Sequence, residues 1–147
     1  MTVEEFVEKH EGRKNKVYKC TMGKNTIGVG HNIDAKGLPD DIKSFLDSNG
    51  YITEDTIDTL LSYDLADAQE DCEKLYPEFE SFSESRQMAL IDFLFNVGIG
   101  TAKTFRNTNR AINEGKWKEA AQGLLNSKYA KQVKGRAVEV AKLLEVG

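Results

Sequence analysis

What the sequence lacks narrows the field first. It holds only 2 cysteines, Cys20 and Cys72, far apart and matching neither a disulfide framework nor a metal-ligand spacing, so both are read as reduced thiols. No apolar run approaches the roughly 20 residues that a membrane span requires. The opening Met1-Thr2-Val3-Glu4-Glu5-Phe6 has neither the basic start nor the apolar stretch of an export signal. The expectation is a soluble chain made in the cytoplasm without a signal peptide and without stable membrane insertion. Repeats, linkers and low-complexity stretches are absent. Gly28 and Gly30 form a Gly-x-Gly with no helix following, which is no nucleotide fingerprint and reads instead as close backbone approach.

What is present suits one domain with a substantial core. The chain has 147 residues, 39% of them hydrophobic, enough to rule out disorder and to build two lobes around a cleft. A net charge of −4 at first argues against a polyanionic partner. Its distribution is uneven, however: +2 over residues 1–33, −12 over 34–92 and +6 over 93–147. A basic C-terminal third can attract an anionic polymer, or the same charges are simply solvated helix faces.

The order of elements predicts an α+β, mostly helical fold. Thr2, Glu5 and the spacing of Val3, Phe6 and Val7 signal a first helix running to about Glu11. Val17 to Cys20 and Thr26 to Gly30 are short β-favouring runs around the turn-like Met22-Gly23-Lys24-Asn25, a small antiparallel hairpin or sheet. A short helix follows over Leu38 to Leu46. Thr53 then caps a long helix whose Ile57, Leu60, Leu61, Leu65 and Ala68 share one face, reaching Leu75 before Pro77. Ser83 caps a helix apolar nearly all round, the mark of a central core element, ended by Gly98 and Gly100. Thr104 to Asn113, Lys116 to Leu125 and Arg136 to Glu145 read as three further amphipathic helices.

Three positions carry the chemistry. Glu11 closes the first helix, Cys20 ends the first strand and Thr26 starts the second, an arrangement that brings the three side chains to one wall of a cleft. His10-Glu11-Gly12, Tyr18 and Thr26-Ile27-Gly28-Val29-Gly30-His31 resemble the signature of phage-type lysozymes, glycoside hydrolase family 24. The spacing Glu-x8-Cys-x5-Thr fits that family's Glu-x8-(Asp or Cys)-x5-Thr. The likeness continues through Ala89 to Gly98, Phe105-Arg106-Asn107, Lys116 to Ala121 and Gly135-Arg136-Ala137, and covers essentially the whole chain.

The resemblance implies a lysozyme-like fold: a sheet lobe over about 14–55, a connecting helix over about 53–75, and a helical lobe over about 76–147 joined by the N-terminal helix 1–12. It implies hydrolysis, with inversion, of the β-1,4 bond between N-acetylmuramic acid and N-acetylglucosamine in peptidoglycan. No metal and no cofactor are implied, and no nucleic-acid partner. A monomer is expected, dependent on a pore-forming holin for passage to the wall.

Physical chemistry assigns the roles. Cleaving a glycosidic bond near neutral pH needs a proton on the leaving oxygen, which a carboxylic acid shielded from ionisation supplies; Glu11 has that address. An inverting route needs a water on the opposite face of the ring, and the Thr26 hydroxyl both donates and accepts. Cys20 stands where many relatives have aspartate; as thiolate it assists the water, although an ordinary thiol is mostly neutral at pH 7.

Arg136 matches the family arginine behind the general acid, where it orients the carboxyl group but also favours ionisation. His31 is read as supporting structure, with Asp64 as its ionic partner. Asn32, Phe95 and Thr108 fall where relatives touch the glycan, each with a plainer reading as turn, core or helix residue. Gly123 departs from the asparagine common in relatives, removing one sugar hydrogen bond. Two other functions compete: a lytic transglycosylase, which needs no placed water, and a module that binds wall glycan without cutting it.

Overall fold

The computed structural model describes all 147 residues and divides into two compact units, one built on Val3–Leu65 and the other on Ala66–Gly147. The boundary falls inside one helix. In the first unit, α1 (Val3–Glu11) is followed by β1 (Lys14–Lys19), β2 (Asn25–Gly28) and β3 (His31–Asn32), then α2 (Ile33–Lys36), α3 (Asp40–Asn49) and the start of α4 (Glu54–Leu75). The three strands form an antiparallel sheet in the order β1-β2-β3. Sequence spacing predicts the first two strands and misses the third, which is two residues long and too short for any periodicity to show.

The helices begin and end where capping chemistry allows. α3 starts later than its apolar pattern suggests: Pro39 occupies its N-cap and disfavours helical backbone at Leu38 before it. α2 is a single turn held by Asn32, whose side-chain oxygen accepts from the Ala35 amide at 3.0 Å. At α4 the Thr53 hydroxyl accepts from the Thr56 amide at 3.2 Å, the expected cap, and the helix runs 22 residues.

β1 is irregular. Lys14 pairs with Gly28 and Tyr18 with Thr26, so the strand spends more residues than its partner over the same ladder and arches outward between them. Such a bulge bends a strand and re-aims its side chains.

A buried ion pair ties this unit together. His31 and Asp64 are both almost wholly removed from solvent; His31 Nδ1 lies 2.7 Å from Asp64 Oδ2 and Nε2 lies 2.8 Å from the Gly37 carbonyl. Both ring nitrogens therefore face acceptors, which only the doubly protonated ring satisfies. Burial alone would lower its pKa; the bonds to Asp64 and Gly37 outweigh that and hold it above the ordinary histidine range.

The second unit is helical: the rest of α4, a 3-10 turn at Phe79–Ser81, α5 (Glu84–Ala102), α6 (Arg106–Asn113), α7 (Trp117–Leu125), α8 (Lys128–Val133) and α9 (Gly135–Val146). Ser83 caps α5 through the Arg86 amide at 3.2 Å. α5 breaks at Gly98, with φ 80° and ψ 158°, and resumes to Ala102; the expectation of an end at Gly98 and Gly100 holds for the first segment only. Phe93 lies at the centre, with Phe105 and Tyr129 edge-on at 5.1 and 5.0 Å. α8, six residues long, was not foreseen.

The histidine pair gives a signed pH dependence. Because the folded pKa is raised, the stabilisation is fully present below the unfolded value of about 6.5 and is lost as pH rises through the folded value. The melting difference between the native chain and His31→Asn is expected to be largest near pH 5 and to shrink under alkaline conditions. Near pH 5, Asp64→Asn should cost about 3–5 kcal/mol, as removal of one partner of a buried pair does. Melts that differ equally at both ends of the pH range would contradict the assignment.

Candidate active site

Glu11 is the last residue of α1. Gly12 follows in the left-handed region at φ 78°, its amide bonded to the Glu8 carbonyl at 2.8 Å, so the helix stops and the Glu11 side chain stands at its end. The connection between β2 and β3 comes up against that carboxyl group. At Gly30, φ is 64°, and a Cβ placed there would lie 2.8 Å from Glu11 Cδ and from Oε1. A side chain at this position would have to push the carboxyl group aside. This is the close backbone approach that the glycine pattern suggested, now with its object identified.

Tyr18 faces the same place from β1. It is the cross-strand partner of Thr26, and its phenol is pushed above the ordinary tyrosine range by burial and then by the charges of Glu11 and Cys20. The ring therefore lies within electrostatic reach of both groups and stays protonated. Tyr18 belongs to the resemblance but has no role in the sequence reading; its position inside the signature was the available signal.

Cys20 lies just past the end of β1, in the turn rather than on the strand as expected. Its amide donates to the Lys24 carbonyl at 3.0 Å and its own carbonyl accepts from Gly23 at 2.8 Å, which closes a tight turn around the sulfur. Burial raises the thiol pKa, but hydrogen bonds from the Lys24 and Met22 amides, the Thr26 hydroxyl and its own amide bring it below the ordinary range.

Thr26 is buried, with its hydroxyl donating to the Lys24 carbonyl at 2.9 Å. That hydroxyl has one proton to give. When Cys20 is a thiol, Thr26 bonds to Lys24 and can accept from the sulfur; when Cys20 is a thiolate, the proton can swing to it. Cys20 and Thr26 are thus a coupled pair, and Tyr18 adjoins both that pair and Glu11.

The remaining predicted residues are distributed over both units. His31 is structural, paired to Asp64 as expected. Asn32 is half-buried, its oxygen spent on capping α2 and its amide hydrogens left over. In the second unit Phe95 is half-exposed, outside the core. Arg136 is buried and holds Asp92 by two bonds, Nε to Oδ2 at 2.9 Å and Nη2 to Oδ1 at 2.8 Å, the planar fork geometry that only arginine offers. Asp92 is fully buried. Sequence reasoning passed over it, although a carboxylate set within the apolar run Met88–Phe95 is a signal that a cation lies opposite.

Thr108 is 5% exposed, and its hydroxyl is turned toward Gly123: a Cβ at Gly123 would collide with Thr108 Oγ1. The absence of a side chain at Gly123 therefore has a packing counterpart: it leaves room for the Thr108 hydroxyl in its present orientation.

Comparison with known proteins follows the same lines. The family model described as phage lysozyme matches residues 8–143. The chain is 33% identical to the pre-baseplate central spike protein Gp5 of Enterobacteria phage T4, aligning over 100% of its own length and 28% of that protein's. It is 30% identical to the probable T4-type lysozyme 1 of Dictyostelium discoideum, covering 99% of the chain and 95% of the relative, and 27% identical to the probable T4-type lysozyme 2 over the same shares. These likenesses define a glycoside hydrolase of the lysozyme type. The chain belongs to the phage lysozyme family.

Two close approaches generate tests. Gly30→Ala and Gly12→Ala both force a side chain into positive φ, at a cost of about 1–2 kcal/mol each, but nothing lies within 4 Å of a Cβ at Gly12. Activity is expected to fall on the order of a hundredfold in Gly30→Ala and to survive in Gly12→Ala; equal losses in the two would show that the carboxyl contact is irrelevant. At Gly123, helix propensity favours alanine by about 1 kcal/mol and overpacking opposes it by about 1–3 kcal/mol. Gly123→Ala should destabilise the native chain and stabilise Thr108→Ala, a reversal of sign that chemical denaturation of the four proteins would reveal.

Proposed function

We propose that the chain hydrolyses the β-1,4 bond between N-acetylmuramic acid and N-acetylglucosamine in bacterial peptidoglycan, with Glu11 as the proton donor. The observation that carries this reading is the seat of Glu11. Its carboxyl group stands close against the Gly30 backbone and within electrostatic reach of Tyr18, a seat suited to offering a proton.

The attacking water falls to Thr26 and Cys20. An inverting hydrolase leaves room for a water between its acid and the group that activates it. The Thr26 hydroxyl orients that water, and the Cys20 sulfur, eased toward the thiolate by its ring of amide donors, receives its proton in the place of a second carboxylate. Because a thiol in this position is basic only in part, Cys20 assists the step without being indispensable to it.

The supporting residues complete the proposal. Arg136, fixed by its fork to Asp92, takes the supporting role that the family resemblance gives it. Asn32 contributes its spare amide hydrogens and Phe95 its half-exposed ring to glycan binding, while Thr108 contributes through the α6–α7 packing it sets. The enzyme acts as a monomer, without metal or cofactor, and reaches the wall through a pore made by a separate holin.

The decisive assay follows turbidity of purified wall material. Glu11→Gln, with folding intact by circular dichroism, should lose activity by about a thousandfold or more, and Cys20→Ala up to about a hundredfold, the range of assisted proton transfer. Mass spectrometry of the products should show the added water of hydrolysis; anhydro-sugar ends would replace the proposal with transglycosylation. Wall binding without turbidity loss, identical in the native chain and Glu11→Gln, would leave only a binding module.

A further inference from the structure

A hollow in the first unit lies along β1. It has a volume of about 640 Å³ and runs between the arched part of β1 and the segment Tyr51 to Glu54. The arch is pinned in place: the Ile52 amide donates to the Asn15 carbonyl at 2.9 Å. It is built by the extra residues that β1 spends opposite β2, so the groove is a product of the bulge.

Its charge is unbalanced. Three of the four residues from Arg13 to Lys16 are cations, but they differ in what they touch. Arg13 is taken up by Glu8 and Asp58, each at 2.9 Å, and by Glu54 at 3.4 Å, which also occupies the one carboxylate of the groove wall. Lys14 and Lys16 are exposed. Lys14 Nζ lies 5.6 Å over the Tyr18 ring, a placement that holds the ammonium without neutralising it.

Opposite them, Tyr51 is 41% exposed and propped edge-on against Phe45, with ring centroids 5.8 Å apart. Two uncompensated ammonium groups and a pre-oriented amphipathic ring make a surface for an anionic chain carrying groups that hydrogen-bond. Tyr18, the cross-strand partner of Thr26, also belongs to the groove wall, so the groove shares a residue with the surroundings of Thr26.

We propose that this groove is a secondary binding site for the carboxylate-bearing peptide branches of the wall polymer. The inference rests on the reading of the chain as a peptidoglycan hydrolase. The shared Tyr18 favours an occupant tethered to the same molecule that is being cut, and the unpaired lysines favour one that is anionic. Peptide branches on the glycan meet both conditions. A long polyanion such as nucleic acid meets only the second, and two lysines on an acidic protein do not make a phosphate track.

The test compares two substrates: wall polymer freed of phosphate-containing polymers by acid, and the same glycan stripped of its peptides by an amidase. Lys14→Glu/Lys16→Glu and the milder Lys14→Ala/Lys16→Ala alter only exposed side chains, and their melting temperatures check folding. On the peptide-bearing polymer at low salt, KM is expected to rise on the order of tenfold in the charge-reversed variant, less in the alanine variant, with the difference shrinking as salt is added. On the stripped glycan both variants should match the native chain.

An equal rise on both substrates, or none on the peptide-bearing one, overturns the proposal. So does native binding to vesicles of anionic phospholipid that Lys14→Glu/Lys16→Glu abolishes while wall binding stays unchanged, which would assign the groove to a membrane surface. Co-sedimentation with the peptide-bearing polymer in a Glu11→Gln background keeps the two readings apart. If the native chain cuts nothing but the lysine variants still lose sedimentation, catalysis fails and the groove stands; if cutting is normal and sedimentation is unmoved, the groove fails alone.

Discussion

The contact between the Glu11 carboxyl group and the Cα of Gly30 constrains everything around it. For it to exist, α1 must end at Glu11, and the left-handed Gly12 ends it there. The β2–β3 connection must then turn at positive φ so that its backbone, and no side chain, meets the acid. The same connection brings His31 into β3, where it pairs with Ile27 across the sheet and reaches Asp64. Main-chain conformation at Gly12 and Gly30 thus shapes the surroundings of the acid.

Each unit carries one buried ion pair between residues distant in sequence: His31 with Asp64 in the first, Arg136 with Asp92 in the second. Burying charge is expensive, and replacing such pairs by well-packed apolar groups is often neutral or stabilising. What these pairs supply is direction. The Arg136 fork accepts one orientation of Asp92, and the His31 ring is held at both nitrogens, so each pair selects one packing of its elements over near alternatives. Lys36, 3.1 Å from the second oxygen of Asp64, leaves that carboxylate satisfied on both sides.

Most of the architecture was legible in the sequence because it is written in long periodic segments and in caps. α4 and α5 announce themselves by apolar faces and by Thr53 and Ser83. What escaped is short: β3, α2 and α8 have too few residues to show a period, and their existence depends on neighbours that are remote in sequence. Glu11, Cys20 and Thr26 were singled out by a spacing that fits the family's, whereas the turn that holds Cys20 was not legible, since its amide donors come from residues with no distinctive side chain. Asp92 was overlooked because its meaning lies in Arg136, 44 positions away. Gly123 was read as a lost sugar contact; only the proximity of Thr108 discloses the steric reason.

The two sulfurs occupy opposite chemical worlds. Cys72 is fully buried on α4, and burial drives its thiol far above the ordinary range, while the amide ring of Cys20 draws that thiol down. A mild electrophile therefore finds one sulfur in the folded molecule and the second only once α4 has opened. The natural chain carries its own pair of clocks: alkylation of the first reports the accessibility of the Cys20 turn, and alkylation of the second times the loss of the core, with no label or engineered residue needed to tell the two events apart.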